Sequence, residues 1–580
     1  MIVLKVKFLT RDCFSANSGI LAKNLILLFA FFLILLSGCQ AQPTYDMLIK
    51  NGTIIDGSGT PGFRADLAIS GDTIAAIGNL GNAFAKKEID ASGKTIAPGF
   101  INMLSWADQA LLEDGRSMSD IKQGVTLEIF GEGWSPGPRK PRKKDTRWAT
   151  LGQYLSFAEK KGVTPNIASF VGATQVRMYV LNAENRRPNP AEMTQMKNLV
   201  RQAMEEGALG LGSSLIYAPA DYASTEELIE LSKVASAYGG MYITHMRSES
   251  DRIMEALTET FRIAHEAKIK TEIYHLKINH ERNWNKIDTV INRIDSAQRA
   301  GLKITANMYT YNASGTGLTA RLPTWVQEGG MAALRKRLKD PEIRKRVLKD
   351  LELGIPQKNS DPRDVLILAF HKDSLNALYQ NKRLDEISRL HGKNPDETML
   401  DLIVADQSSF PIPCIFFLIS EDNVKRMLQL PYVSICSDAA SIADEPPKNE
   451  SPTHPRAYGS FARLLGKYVR EEKIMTLEEA IRRMTSLPAS NLKIEKRGLL
   501  KSGGFADVVI FDPQKIQDTA TFEDSHAYAT GMDHVFVNGI QVLENGEHTG
   551  KLPGRAIRGI GWRQNLASIK SGHQPARTGQ

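Results

Sequence analysis

The sequence predicts an α/β protein: a (β/α)8 TIM barrel with a small β-sandwich formed by both chain ends. Three observations predict it. Strand-turn units crowd residues 46 to 97. Short apolar runs alternate with amphipathic helical stretches from Thr95 to about residue 490. Strand-turn units return after Arg497-Gly498. Alternating strands and helices imply βα units around a parallel sheet, and roughly four hundred residues of them suit a barrel with insertions. The expected divisions are 1–39 as a targeting segment, 40–97 and 498–565 as the two parts of the sandwich, 98–497 as the barrel, and 566–580 as a flexible tail.

The N-terminus comes first. Lys23 precedes an uncharged apolar run from Leu25 to Leu36. About a dozen residues are too few to span a bilayer as a helix but suit a signal-peptide core. The run ends in Leu36-Ser37-Gly38-Cys39, which resembles the lipobox of bacterial lipoproteins, with Cys39 as the lipid anchor. The competing reading is a plain signal peptide with an incidental cysteine. Gln40, rather than Asp, follows Cys39, which favours the outer membrane. The expected location is therefore the bacterial cell envelope, as a periplasmic or outer-membrane-anchored lipoprotein. No other run of about 18 apolar residues exists, so the anchor is the only expected membrane contact. A lipidated chain keeps Cys414 and Cys436, which are expected to be buried rather than to staple the fold.

The first strand-turn units are Asp46–Gly52, ending in an expected Asn-Gly turn, then Thr53–Gly57, Ala65–Asp72 and Thr73–Gly78. In the middle region, helices are expected over Glu226–Tyr238, Arg252–Lys268, Asp288–Ala300 and Leu477–Thr485. Strands are expected over Gly124–Phe130, Asn166–Val171, Met241–Thr244, Thr271–Tyr274 and Val433–Cys436. Ala506–Asp512 and His534–Gly539 are the returning strands.

Composition is that of a folded domain, 42% hydrophobic and 24% charged. The net charge of +8 comes with no basic stripe interleaved with aromatics, which excludes nucleic acid as the expected partner. The basic cluster Arg139–Arg147 reads as a solvated loop, with contact to anionic lipid or substrate as the alternative.

Polar residues follow the expected strands: Glu132, His245, His275 and Asp438. Catalytic groups of such barrels sit at the C-terminal strand ends. Two imidazoles and two carboxylates there are the ingredients of a catalytic zinc site, which acidifies water and polarises a carbonyl.

Several motifs carry a resemblance. Thr95-Ile-Ala-Pro-Gly-Phe-Ile-Asn102 resembles the segment leading into the first barrel strand of amidohydrolases. Thr244-His-Met-Arg-Ser-Glu249, Tyr274-His-Leu-Lys277, Ser437-Asp438 and Thr453-His-Pro-Arg-Ala-Tyr-Gly459 look like the N-acyl-D-amino-acid deacylases, in the same order. The resemblance spans about residues 46 to 560. It implies a barrel, a small sandwich built from both ends, and zinc-dependent hydrolysis of an N-acyl amide. The family's first strand normally ends in His-x-His, two metal ligands; here the aligned residues are Leu104-Ser105-Trp106, and Ile101–Gln123 contains no histidine. The family's metal-ligating Cys after strand two is also absent, with Glu132 beside that position. One zinc per chain is therefore expected, on His245, His275 and Glu132, with Asp438 as general base and then acid.

The expected partner is a small N-acyl amide. Arg247 is expected to pair its α-carboxylate, against a structural ion pair to Glu249 or Asp251. Tyr311 is expected to contact its carbonyl, and His454 to line the same site. Lys277 is expected behind the ligands. Two other readings compete: a cyclic-amide hydrolase resembling dihydroorotases and hydantoinases, and a degenerate lipoprotein that binds a ligand without turning it over.

Overall fold

The structure is a computed structural model, and it describes residues 44–140, 147–354, 360–443 and 452–563. Cys39, the middle of the basic cluster and the C-terminal tail lie outside these residues. No helix among the described residues is long and apolar enough to cross a membrane.

Five strands come first: β1 (Thr44–Ile54), β2 (Phe63–Ser70), β3 (Thr73–Gly78), β4 (Phe84–Asp90) and β5 (Thr95–Pro98). Asn51-Gly52, expected as a turn, is instead a bulge inside β1. The register against β2 shifts between Ile49 and Gly52, and Asn51 takes φ 62°. Asparagine tolerates that left-handed conformation, and a bulge bends a strand without ending it. A Cβ on Gly52 would lie 2.3 Å from Ile96 Cδ1, so a larger residue there would force the Ile96 side chain to move.

The next strands are β6 (Phe100–Asn102), β7 (Val125–Phe130), β8 (Asn166–Ser169), β9 (Val171–Gly172), β10 (Gly210–Ser214), β11 (Met241–His245), β12 (Thr271–Ile273) and β13 (Ile304–Met308). A smaller group follows: β14 (Ser314–Gly317), β15 (Val365–Ile367), β16 (Lys382–Arg383) and β17 (Pro413–Phe416). The chain ends with β18 (Val433–Ile435), β19 (Val508–Phe511), β20 (Met532–Val537), β21 (Ile540–Glu544) and β22 (Glu547–His548).

Two parallel sheets form the centre, β18-β13-β12-β11-β10-β9 and β6-β7-β8. Backbone hydrogen bonds join them at both ends. Met103 N–H donates to Ile435 O at 3.3 Å and Asp438 N–H to Leu104 O at 2.9 Å; on the other side Leu209 N–H donates to Ser169 O at 2.9 Å. Every residue of β7, β10, β11 and β12 is buried, as expected of parallel strands covered on both faces. Amphipathic helices supply the outer cover. Thr225–Ala237 is one: the Ser224 hydroxyl accepts from Glu227 N–H at 3.2 Å to cap it, and Leu228, Leu231 and Ala235 face inward.

Both chain ends share one nine-stranded sheet, ordered β22-β21-β20-β19-β5-β1-β2-β3 with β4 on β1. The joint is antiparallel pairing of β5 with β19, Thr95 opposite Phe511 and Pro98 opposite Val508. Cys414 and Cys436 are buried and free.

Residues 314–418 depart from the expected alternation. They form a separate antiparallel sheet, β14-β17-β15-β16, around a core that includes Leu318, Val347, Ile367 and Met399. Their helices carry the same 3.6-residue periodicity as the outer helices. Periodicity reports that a face is buried and not which core buries it.

Candidate metal centre and its cavity

Three chain segments bring the expected ligands together. β7 ends at Phe130 and turns through Gly131, φ 111°, so that Glu132 points inward. A Cβ on Gly131 would lie 2.5 Å from Phe170 O, so only glycine fits that turn. His245 is the last residue of β11. His275 follows β12 with φ 32°, a left-handed turn held by Asn307 Oδ1, which accepts from His275 N–H at 2.8 Å.

Glu132 Oε1 lies 2.9 Å from His245 Nδ1 and 3.0 Å from His275 Nε2. The two rings stand 4.4 Å apart at 82°. All three side chains are buried, and their ligand atoms lie within 4.8 Å of one another. Burial works against ionisation of Glu132, but the His275 and His245 charges outweigh it and hold its carboxyl at about 2. For His275, burial and Lys277 oppose the charged form. The Glu249, Asp438 and Glu132 carboxylates overcome them and raise it to about 9. A carboxylate and two imidazoles in a dry site form the donor set of zinc. His245 turns its Nδ1 and His275 its Nε2 toward the same Glu132 oxygen, so the three donor atoms converge on one point. The residues fit a metal ion.

Two neighbours complete the cluster. Glu249 Oε2 lies 3.3 Å from His245 Nε2, and its Oε1 lies 3.1 Å from His275 Nδ1. Lys277 Nζ donates to Glu249 Oε1 at 2.7 Å and lies 2.7 Å from His275 Nδ1. Burial opposes the Glu249 charge, but His245, Lys277 and His275 hold its carboxyl well below the usual range. The sequence places Lys277 behind the ligands and suggests Glu249 only as an ion-pair partner for Arg247. The available signal was its spacing, four residues past His245 in His-Met-Arg-Ser-Glu.

The cluster opens into a cavity of about 1560 Å³. Its walls include Trp106, Trp134, Tyr217 and Arg456 from the ring, and Arg321 and Phe410 from the 314–418 insertion. Asp438 follows β18 with φ 50° and lines the cavity. Its Oδ1 accepts from the Trp106 indole Nε1–H at 3.1 Å, and its Oδ2 lies 2.7 Å from Arg456 Nη1. The Arg456 guanidinium also stacks over Tyr309, 4.7 Å from the ring centre.

The remaining expected contacts lie elsewhere. Arg247 lines the cavity, but its guanidinium is committed. Nε and Nη2 donate to Glu259 at 2.9 Å each, Nη1 to Asp221 O at 2.8 Å, and Nη2 also to Ala223 O at 2.9 Å. No fork is left for a substrate carboxylate, and its ion-pair partners are Glu259 and Asp221 rather than Glu249 or Asp251. The Tyr311 hydroxyl donates to Asp518 Oδ2 at 3.1 Å, away from the cluster. Tyr217 and Tyr309 approach it instead, 5.4 Å from the His245 ring and 6.4 Å from the His275 ring, and the buried Tyr309 hydroxyl has no partner among the described residues. His454 spends both ring nitrogens on backbone. Nε2–H donates to Ala313 O at 3.0 Å, and Nδ1 accepts from Arg456 N–H at 3.0 Å. Burial, reinforced by Arg456, holds His454 neutral, well below its ordinary value. It braces the segment that carries Arg456.

Known proteins resemble this chain over most of its length. A model of the amidohydrolase family matches residues 87–543. The chain is 33% identical to a D-aminoacylase of Alcaligenes xylosoxydans xylosoxydans, over 90% of this chain and 99% of that one. It is 29% identical to the N-acyl-D-glutamate deacylase of the same organism, over 89% and 97%. Among solved structures, the Bordetella bronchiseptica N-acyl-D-glutamate deacylase, complexed with zinc and a phosphonate mimic of the tetrahedral intermediate, superposes with TM-score 0.74. It is 29% identical and covers 89% of this chain and 100% of that one. A D-aminoacylase structure, studied for the role of its binuclear metal centre, gives the same TM-score at 31% identity, covering 89% and 100%. The shared architecture is a TIM-barrel-like α/β fold.

Proposed function

The chain belongs to the amidohydrolase family, and we propose that it hydrolyses the amide bond of N-acyl-D-amino acids with a single zinc held by Glu132, His245 and His275. One observation carries this reading. Three buried zinc-type ligands converge at one end of the parallel sheets, at the floor of a cavity that Asp438 also lines. The acyl chemistry and the D configuration rest on the likeness to the deacylases.

The hydrogen bonds between the two parallel sheets support a closed (β/α)8 barrel. The nine-stranded sheet wraps a core of its own that includes Ile49, Leu67, Ile96, Val508 and Phe536, which supports a small β-sandwich.

A zinc ion held by Glu132, His245 and His275 would supply Lewis-acid polarisation of the acyl carbonyl and a more acidic attacking water. The protein's residues do the rest. Asp438 takes the proton from that water and delivers it to the leaving nitrogen, the two halves of general acid–base work. Arg456, facing the cavity beside Asp438, takes the substrate α-carboxylate in place of the committed Arg247. Glu249 and Lys277 hold the imidazoles in orientation from behind.

The experiment compares N-acyl-D- and N-acyl-L-amino acids with the native enzyme and with Asp438→Asn. We expect turnover of the D series, a loss of at least about a thousandfold in kcat for D438N, and unchanged zinc content. Zinc-loaded native protein that turns over neither series would refute the reading and leave a ligand-binding lipoprotein. So would an active D438N variant.

A further inference from the structure

We propose that Trp106 is a positioning residue that replaces a second metal. Its indole N–H orients the Asp438 carboxylate, and its ring fills the space where a second ion would be held. The inference rests on the role of Asp438 given above.

Four observations carry it. First, in the resemblance given above, Leu104 and Trp106 occupy the two positions of the His-x-His pair, and neither side chain offers a metal-binding lone pair. Leu104 is fully buried and has no donor atom. Second, Ser105, between them, is already satisfied. Its hydroxyl donates to Glu128 Oε2 at 2.7 Å and accepts from Ala107 N–H at 3.1 Å. Glu128 in turn accepts from the Ser117 hydroxyl at 2.5 Å, so this strand end is closed on a network of its own.

Third, the indole N–H donates to Asp438 Oδ1 at 3.1 Å while Arg456 takes Oδ2. Both carboxylate oxygens are thus engaged by the protein itself. Fourth, the backbone locks the two side chains together. Asp438 N–H donates to Leu104 O, and Trp106 N–H donates to Ala439 O, each at 2.9 Å. Asn102 Oδ1 accepts from Ser437 N–H at 2.9 Å, tying β6 to the residue before Asp438.

The physical argument compares what each device does to the carboxylate. A bridging metal would fix Asp438 by ligation. Here a neutral N–H on a rigid ring, set into the wall of the cavity, fixes the same oxygen by a charge-assisted hydrogen bond. Such a bond orients the carboxylate without neutralising it, so Asp438 can accept a proton during turnover. The relative noted above is described as activated by one metal and attenuated by a second. A chain with Trp106 has no place for an attenuating ion.

The test uses the zinc-loaded enzyme and has two readouts. Zinc is titrated into the native chain while stoichiometry is followed by native mass spectrometry. We expect saturation at one ion and no loss of activity in excess zinc. Steady-state kinetics of Trp106→Phe, which keeps the ring bulk and removes the N–H, are then measured. Loss of one hydrogen bond to a charged group should lower kcat about ten- to a hundredfold while zinc content and KM stay within about twofold. The double variant Leu104→His/Trp106→His, which restores the missing donors, should take up a second zinc.

A second tightly bound zinc in the native chain would overturn the replacement, and a W106F enzyme with native kcat would overturn the positioning role. A W106F chain that fails to fold leaves the stoichiometry of the native chain and of the double variant to decide. An active D438N variant would instead sink the underlying assignment of Asp438, whichever way W106F behaves.

Discussion

At the residue scale, the carboxyl groups of this protein divide by what surrounds them. Glu132 and Glu249 are buried among imidazoles and the Lys277 ammonium and stay ionised. Glu128 is equally buried, but no cation faces it; its partners are the Ser117 and Ser105 hydroxyls and the Asp120 carboxyl. Burial dominates there and pushes it up to about 6 despite the Ser117 and Ser105 hydrogen bonds, and Asp120 beside it is raised as well. The folded state therefore binds the Glu128 proton more tightly than the unfolded chain, whose value is near 4.5. Its stabilising contribution is complete below that unfolded value and is lost as pH rises through about 6. Glu128→Gln should accordingly flatten the fall in thermal stability between pH 4.5 and 6. Melting curves of both proteins across that window check it, and parallel curves would show that Glu128 ionises without consequence.

The residue scale also shows where single-residue reasoning stops. Arg247 looked suited to a substrate carboxylate because it lies two residues after His245. Its guanidinium instead ties together Glu259, Asp221 and Ala223, parts of the chain that are distant in sequence. His454 and Tyr311 belong to motifs shared with the deacylases, yet they brace the residues that face the cavity.

At the element scale, the site depends on how each strand ends. Glu132, His275 and Asp438 each lie two or three residues past the end of a strand, and two of the three take positive φ themselves. Left-handed backbone at a non-glycine residue costs about 1–3 kcal/mol and persists where the surroundings fix it. Asn307 and the β6–β18 hydrogen bonds do that fixing here. Gly131 makes the sharpest of these turns. Gly131→Ala should push the β7 end away from Phe170, destabilise the fold by about 1–3 kcal/mol and displace Glu132. The readout is a lowered melting temperature together with weaker zinc retention against a chelator. A variant that melts lower but keeps native zinc affinity would separate the turn from the ligand.

At the scale of the whole molecule, the two chain ends form one sheet that is stitched to the parallel strands. Arg497 pairs with Asp507 and donates to Asn538 Oδ1 at 2.7 Å; Asn538 Nδ2 donates to Asn166 Oδ1 at 2.8 Å, at the start of β8. This buried polar chain crosses from the C-terminal strands to the catalytic ring. Removing residues 498–563 would strip β5 of its β19 partner, take Val509, Phe511 and Val535 out of the main core, and uncover Phe100, which packs against Phe511. A chain truncated after Arg497 should be insoluble, because an unpaired strand edge and an open apolar face both promote aggregation. Recovery of a soluble, zinc-binding truncation would show that the ring folds alone.

Much of this was legible in the sequence. The outer helices lie within one or two residues of their expected positions, because strong 3.6-residue periodicity and caps such as Ser224 are local signals. His245, His275 and Asp438 were legible because ligands of such folds follow strand ends, and the strands were evident as buried apolar runs. The missing His-x-His was equally plain. The tertiary structure alone decided which charged groups meet. Glu132 reaches His245 across 113 positions, and Trp106 reaches Asp438 across 332. It also decided that residues 314–418 build a core of their own. Local periodicity and spacing carry no information about such distances, because the free energy of those contacts exists only once the sheets have closed around them.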